Sequence, residues 1–173
     1  MEPIELRCRC GAVRGEADFR RASRVRVICH CGDCARWVRH LEREDANEVV
    51  QTAPAYVRIT QGMEHVRCAK LTPRSRLRRW YTECCKTPLA NTSGMPALPF
   101  VGLMCAMLSE KDDAVIGAAH HVNGGHRTPL SVVFRAAWFL VAGFFRGLGR
   151  PSPFFDARGE IKETPVVISG DGV

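Results

Sequence analysis

The sequence lacks the features that would direct it to an export pathway, a membrane span or a repeat architecture. Its first residues, MEPIELRCRC, contain early acidic side chains and no continuous apolar segment of the kind found in signal peptides. Ser131 and Arg135 interrupt the most apolar stretch, residues 130–145, whereas a bilayer-spanning helix needs about 20 apolar residues. We therefore expect a cytoplasmic protein with no transmembrane span.

The chain also lacks internal repeats, low-complexity tracts and a Pro/Ser-rich linker, which argues against independent domains. Its 173 residues and apolar share of 46% are ordinary for one soluble domain. We predict a β domain over residues 1–110 and a C-terminal extension over residues 111–173 that packs on the same domain. The glycine-rich loop that starts this extension is expected to be mobile.

Short alternating stretches separated by turn residues predict a mainly β protein. In the extension, the apolar stretch predicts a helix at about residues 130–146, either buried or interfacial, followed by a last strand at residues 164–169. The predicted β segments are residues 4–18, which contain two strands and a turn, and residues 23–31, 56–60, 66–71, 77–82 and 100–108. A short basic helix or turn is expected at residues 35–44.

The charge balance is basic, with 25 Lys and Arg against 18 Asp and Glu and a net charge of +7. Arginines are concentrated in residues 20–26, 36–43 and 74–79, which is typical of proteins that meet phosphate, an anionic cosubstrate or an acidic partner. A solvated basic face is the ordinary explanation of any single run. No known nucleic-acid-binding motif is present, so nucleic acid is a partner that the sequence allows but does not favour.

Seven of the nine cysteines fall into three groups: Cys8 and Cys10; Cys29, Cys31 and Cys34; Cys84 and Cys85. In a reducing compartment, clustered thiols indicate metal ligands rather than disulfides. Zinc binds four ligands tetrahedrally, and turns that present two sulfurs suit this geometry. The sequence therefore predicts one or two zinc ions per chain. Cys68 and Cys105 lie in apolar stretches and are expected to be core residues.

The motifs CRCGAV, CHCGDCAR and YTECCKTPLAN resemble, in order and spacing, those of the glutathione-dependent formaldehyde-activating family, which includes the centromere-protein-V domain. The resemblance covers roughly residues 4–108. It implies a β-tent-like fold of zinc-stapled antiparallel sheets, here with a C-terminal helix. It also implies two zinc ions: a structural one on Cys8, Cys10 and Cys85, and a catalytic one on the three middle cysteines, Cys29, Cys31 and Cys34, with an open fourth position.

The activity that this resemblance implies is that of a carbon–sulfur lyase. A thiol such as glutathione and a small aldehyde would form an S-hydroxyalkyl adduct, or the adduct would be cleaved. Arg36 and Arg39, which follow the third cysteine of the middle group, are the candidates for binding the carboxylates of the thiol.

Two departures from the family pattern affect the structural site. The residue expected to be the earlier cysteine of the last pair is Thr82, and Cys84 instead stands next to Cys85. Lys86 replaces the glycine that would ease a tight turn. The alternatives for the structural site are therefore a distorted site, a three-thiolate site, an empty site, or an exchange of ligands between the groups.

Two further alternatives would mean that the middle group is not catalytic. Its zinc is purely structural if a histidine supplies the fourth ligand, the candidates being His30, His65, His120, His121 and His126. The whole chain is a non-catalytic, zinc-stapled basic module if its positive charge serves to bind nucleic acid or a protein partner.

Overall fold

The structure is a computed structural model that describes residues 2–168. Within these residues, eleven strands form two sheets, and three α-helices and three short 3-10 turns connect or cover them. The protein is therefore mainly β with a C-terminal helix, as the sequence predicted.

The smaller sheet has three antiparallel strands, in the order β1-β2-β5. Their bounds are Ile4–Arg7 for β1, Arg14–Ala17 for β2 and Val57–Gln61 for β5. The turn between β1 and β2 carries Cys8 and Cys10. The alternation of buried and exposed residues along β1 explains why it lies with one face on the core.

The larger sheet has eight strands in the order β10-β3-β4-β9-β8-β7-β6-β11. Neighbours within it are antiparallel, except that the two edge strands, β10 and β11, pair in parallel with β3 and β6. The strands are β3 Arg26–Cys29, β4 Glu48–Thr52, β6 Val66–Lys70, β7 Leu77–Thr82, β8 Pro88–Ser93, β9 Val101–Met104, β10 Ala119–Val122 and β11 Val166–Val167.

The helices are α1 (Gly32–Leu41), α2 (Asp113–Ile116) and α3 (Leu130–Phe145). Successive residues of β4 show how the larger sheet uses both of its faces. Val50 points into the main core, which lies between the two sheets, whereas Val49 packs with the cluster beneath α1.

The outer face of the larger sheet, opposite the main core, is therefore covered by both long helices. Trp37 and Leu41 anchor α1 there, and the Gln51 side chain donates to the Ala136 carbonyl of α3 over 3.2 Å. This arrangement leaves a cleft between α1 and α3.

Several boundaries differ from the sequence prediction. The predicted strand at residues 100–108 ends at Met104 and continues as a 3-10 turn, and the loop expected at residues 111–128 contains α2 and β10. Strands β4 and β8 were not predicted. The last strand spans Val166–Val167, and residue 169 of the predicted segment lies outside the described residues.

The helix predicted at about residues 130–146 is present as α3. It is not fully buried, because one side of it packs on the sheet and the other side is exposed. Among residues 2–168, no helix has the length and apolar character needed to cross a bilayer.

Candidate metal centres

The first candidate centre unites the turn after β1 with the turn between β7 and β8. The sulfurs of Cys8, Cys10, Cys84 and Cys85 all lie within 4.8 Å of one another. The Cys8–Cys10, Cys10–Cys84 and Cys84–Cys85 sulfur distances are 3.6, 3.3 and 3.8 Å. A tetrahedron with zinc–sulfur bonds of 2.3 Å has edges of about 3.8 Å. This four-cysteine group could hold a metal ion, and zinc suits its size and ligand type.

Hydrogen bonds hold two of these sulfurs in place. The backbone N–H of Val13 donates to Cys8 Sγ over 3.2 Å, and the hydroxyl oxygens of Thr82 and Thr87 lie 3.4 and 3.1 Å from Cys85 Sγ. Burial opposes ionisation of the Cys85 thiol, but hydrogen bonds from the two threonines and from Cys10 together outweigh it and lower its pKa to about 5. Thr82, which stands where a cysteine was expected, therefore supports a ligand.

The adjacent cysteines of this centre are accommodated by an unusual backbone at the next residue. Lys86 has a φ of 52°, which lies in the left-handed region of backbone conformation that residues other than glycine rarely adopt. The turn thus keeps the conformation that a glycine would favour, although the glycine is missing. As a result both Cys84 and Cys85 belong to the group, whereas the family resemblance assigned only Cys85 to it.

The second candidate centre lies where β3 meets α1. Cys29 is the last residue of β3, Cys31 is the N-cap of α1, and Cys34 lies in its first turn. Their sulfurs lie within 4.8 Å of one another, and Cys29 Sγ and Cys31 Sγ are 3.4 Å apart. Among residues 2–168, no histidine, carboxylate or further cysteine joins this three-cysteine group. It could hold a metal ion with three protein ligands.

The thiols of this group differ in their tendency to ionise. Burial raises the pKa of Cys34 to about 12, against the opposing effect of the nearby Arg79 guanidinium. Burial also disfavours the Cys31 thiolate, but the backbone N–H groups of Cys34 and Asp33 and the neighbouring thiols lower its pKa on balance. The start of α1 therefore favours negative charge at Cys31.

Arg79 is a functional candidate that the sequence did not single out. Its side chain is only 3% exposed, and its guanidinium carbon lies 5.5 Å from the centre of the Trp37 ring. Within residues 2–168, no carboxylate lies within ion-pair distance of it. A buried cation without a partner is costly. The thiolates of the neighbouring group are the negative charge that this arginine can neutralise.

A cavity of about 260 Å³ opens beside the three-cysteine group. Cys29 and Cys34 line it together with apolar side chains such as Val27 and Met104. Asn91 also faces it; this residue is 7% exposed and its Oδ1 has no hydrogen-bond partner. A second apolar cavity of about 500 Å³ beneath α3 shares Val27, Val49, Asn91 and Val122 with the first. The two cavities together form the cleft between α1 and α3, and Cys29 and Cys34 lie at the end of it that is nearer to α1.

The arginines proposed for the thiol lie on α1 outside this cavity. Arg36 donates to the Leu71 carbonyl over 3.3 Å, and Arg39 is exposed. Asn123, which the sequence did not suggest, donates its amide to Cys29 Sγ over 3.2 Å. No local signal could have found it, because Asn123 reaches Cys29 only through the parallel pairing of β10 with β3.

The histidines considered as a fourth ligand do not enter the three-cysteine group. His65 lies 3.9 Å from the carboxylates of Glu64 and Glu83. His30, His121 and His126 instead form a third group of their own, with nitrogens within 4.8 Å of one another.

Comparison with known proteins relates the chain to a family and to one solved fold. Residues 2–164 match a family described as "Family of unknown function (DUF6151)". The comparison with curated proteins found no match. A crystal structure of a Rhodobacter sphaeroides protein is similar with a TM-score of 0.51 and 18% identity, over 69% of this chain and 100% of that one. At that identity the similarity concerns the fold alone.

Proposed function

The chain belongs to the DUF6151 family, and we propose that it is a zinc protein that joins a thiol to a small aldehyde, or cleaves the adduct. In this proposal the four-cysteine group holds a structural zinc ion and the three-cysteine group holds a catalytic one. The resemblance to the glutathione-dependent formaldehyde-activating family suggested this chemistry, and the difference between the two cysteine groups supports it.

One observation carries the proposal: the three-cysteine group has no fourth protein ligand among the described residues, and two of its members, Cys29 and Cys34, line a cavity. Structural zinc sites are closed by four protein ligands, whereas catalytic sites keep one position for water or substrate. The four-cysteine group fits the first description, and the three-cysteine group fits the second.

The reaction requires no oxidant or reductant. A bond forms between the thiol sulfur and the carbonyl carbon while the carbon–oxygen π bond breaks, and the proton lost by the thiol is taken up by the former carbonyl oxygen. The lyase direction reverses these steps. Zinc bound at the three cysteines would supply the fourth coordination position and lower the pKa of the incoming thiol.

The residues around the group have distinct roles in this proposal. Asn123 orients Cys29 through its hydrogen bond, and Arg79 offsets the negative charge of three thiolates. The apolar walls of the cavity favour the carbon chain of an aldehyde, and the unpartnered Oδ1 of Asn91 can accept a hydrogen bond from the hydroxyl of the adduct.

The thiol would approach from the outer side of α1. Arg39 is exposed there and is free to bind a carboxylate, and Arg36 has further N–H groups besides the one that it donates to Leu71. A glutathione-like thiol, which carries carboxylates, matches these cations.

The proposal is tested by replacing zinc with cobalt in the full chain. Cobalt–thiolate centres have a charge-transfer band that grows with each bound sulfur, so glutathione should increase it if the fourth position is open. Cys31→Ser should abolish the increase while leaving the fold intact. Cys68→Ala, at a cysteine outside both groups, serves as the control and should retain the increase.

A spectrum that does not change when glutathione is added to folded, fully metallated protein would overturn the catalytic proposal. Salt-dependent retention of the same protein on DNA would then support the alternative of a basic, zinc-stapled binding module.

A further inference from the structure

The third group of potential ligands lies beside the three-cysteine group but is built from different atoms. His30 stands between Cys29 and Cys31 in the sequence, His121 belongs to β10, and His126 follows the turn after that strand. All three imidazoles are exposed, and one nitrogen from each lies within 4.8 Å of the other two.

The rings are closely arranged. His30 Nε2 lies 2.8 Å from His121 Nδ1, and these two rings are stacked with centroids 5.1 Å apart. The ring of His126 lies 5.0 and 5.3 Å from the rings of His30 and His121. Three imidazoles around one zinc ion, with bonds of 2.0–2.1 Å, have their nitrogens about 3.3 Å apart. The nitrogens already lie within 4.8 Å of one another, so no pair has to move closer by more than about 1.5 Å to reach this arrangement.

The backbone holds the three histidines together. The N–H of His30 donates to the Val122 carbonyl over 2.9 Å, and the turn that follows has left-handed residues at Asn123 (φ 62°) and Gly124 (φ 57°). A Cβ at Gly124 would lie 2.7 Å from the Cβ of His30. Only glycine permits this approach, so the turn is shaped to bring His126 back onto His30.

We propose that His30, His121 and His126 bind one divalent transition-metal ion, separate from the metals of the cysteine groups. Three neutral imidazoles are a donor set that suits zinc, nickel and cobalt. The site is open to solvent, so this ion has a free coordination position. Because His30 lies between two ligands of the three-cysteine group, the two metals would be neighbours at the entrance of the cleft.

The test uses the full chain loaded with two zinc ions, one for each cysteine group, and elemental analysis measures this content first. Cobalt is then added. We expect one further equivalent per chain, with ligand-field bands in the visible region and no sulfur charge-transfer band. His121→Gln and His126→Gln should each weaken this binding by roughly tenfold or more. His65→Gln, which removes a half-buried histidine outside the group, should leave it unchanged.

Three results would overturn this site: no binding of cobalt to the protein that holds two zinc ions, a charge-transfer band on the added cobalt, or glutamine variants that both bind cobalt as tightly as the unmodified protein does. The initial zinc content separates this outcome from a failure of the cysteine sites. Because both histidines are exposed, unchanged thermal unfolding of the variants is expected and can be checked directly.

A second, independent observation concerns the outer side of α3. Leu130, Phe134, Trp138, Val141 and Phe145 are exposed and follow one another at intervals of three or four residues, so they share one face of the helix. Trp138 is 74% exposed and Phe145 is 83% exposed. Such a continuous apolar face marks an interaction surface.

The opposite face of α3 is the one that packs on the sheet. Val132, Phe139 and Gly143 are buried there. The helix is therefore held on the sheet by one face, and the exposed apolar residues form its other face, which points to solvent.

The charges around α3 indicate which kind of surface the helix would bind. Residues 114–155 contain no acidic side chain, and exposed arginines stand before, within and after the helix at Arg127, Arg135, Arg146 and Arg150. An apolar stripe framed by cations is typical of helices that lie in the surface of an anionic membrane. In a second copy of the chain, the same arginines would face each other and repel. We propose that α3 binds the surface of anionic lipid bilayers.

Tryptophan fluorescence measures this binding, because Trp138 is exposed on α3 whereas Trp37 and Trp80 are fully buried. Vesicles of phosphatidylcholine with phosphatidylserine should shift tryptophan emission to shorter wavelength and sediment the protein. Vesicles of phosphatidylcholine alone, or high salt, should do so far less. The double variant Phe134→Ser and Phe145→Ser should lose binding, whereas Val166→Ser, at an exposed apolar residue of β11, should retain it.

The absence of binding to anionic vesicles by folded protein would overturn this proposal. So would a concentration-dependent dimer that the same double variant abolishes, because α3 would then be covered by a second copy.

Discussion

The side-chain amide of Asn123 lies 3.2 Å from the sulfur of Cys29, although 94 positions separate the two residues in the sequence. The contact exists because β10 adds to the edge of the larger sheet in parallel with β3, with Val122 opposite Cys29. The same strand carries His121 and leads into the turn with His126. One edge strand and the turn after it thus supply part of the surroundings of the three-cysteine group.

The four-cysteine group should contribute directly to stability. Cys8→Ser removes one of four ligands that join the first turn to the β7–β8 turn, so we expect the loss of about one metal ion per chain and several kcal/mol of stability. Metal analysis and thermal unfolding measure the two effects. Cys68→Ala, at a buried cysteine outside the groups, should lower stability but keep the metal. An unchanged melting temperature in Cys8→Ser would mean that no metal is bound there.

The buried charge of Arg79 should tune the affinity of the three-cysteine group. In Arg79→Met the thiolates lose the cation that offsets their charge, and we expect metal affinity to fall by roughly tenfold or more. Competition with a chromophoric chelator measures this. Arg78→Met removes the same charge from the neighbouring position and should have little effect. Equal affinities of the two variants would show that Arg79 has only a packing role.

Lys86 should be replaceable with a gain in stability. Its φ of 52° strains any residue with a Cβ, and its ion pair with Glu42, at 3.7 Å between exposed side chains, contributes little. We expect Lys86→Gly to raise the free energy of unfolding by about 1 kcal/mol and Lys86→Val to lower it. Denaturant unfolding of the metal-loaded variants gives both values. A less stable glycine variant would show that the lysine side chain matters more than the backbone.

The ion-pair network at β4 should make stability depend on pH. Burial opposes ionisation of Glu48, but hydrogen bonds from Lys111 and Arg26 outweigh it and lower its pKa. The stabilisation is therefore complete above the ordinary pKa of a glutamate, about 4.3, and is lost as the pH falls through the lowered value.

Glu48→Gln should consequently be less stable than the unmodified protein by about 1–2 kcal/mol at pH 7. The difference should shrink as the pH falls below about 4. Glu64→Gln, at an exposed carboxylate, is the control. A difference that does not change with pH would mean that the charge of Glu48 is not the cause.

By itself, the sequence determined the strands with a clear alternation, the apolar C-terminal helix and the grouping of the cysteines. These features depend on residues that are near one another in the chain, so local pattern is enough to predict them. The strands that were missed have a different character. In β8, Asn91 and Thr92 are buried beside apolar residues, so no alternation of polar and apolar residues marks the strand.

Only the tertiary structure decided which distant side chains surround the sulfurs. Arg79 looks like one more residue of a basic run until the packing of β7 under α1 buries it next to Cys34. The pairing of β10 with β3 brings His121, Asn123 and His126 to the cysteine segment across about ninety residues of intervening chain. Such contacts follow from the order of strands in a sheet, and that order is set by the burial of the whole core rather than by any local stretch of sequence.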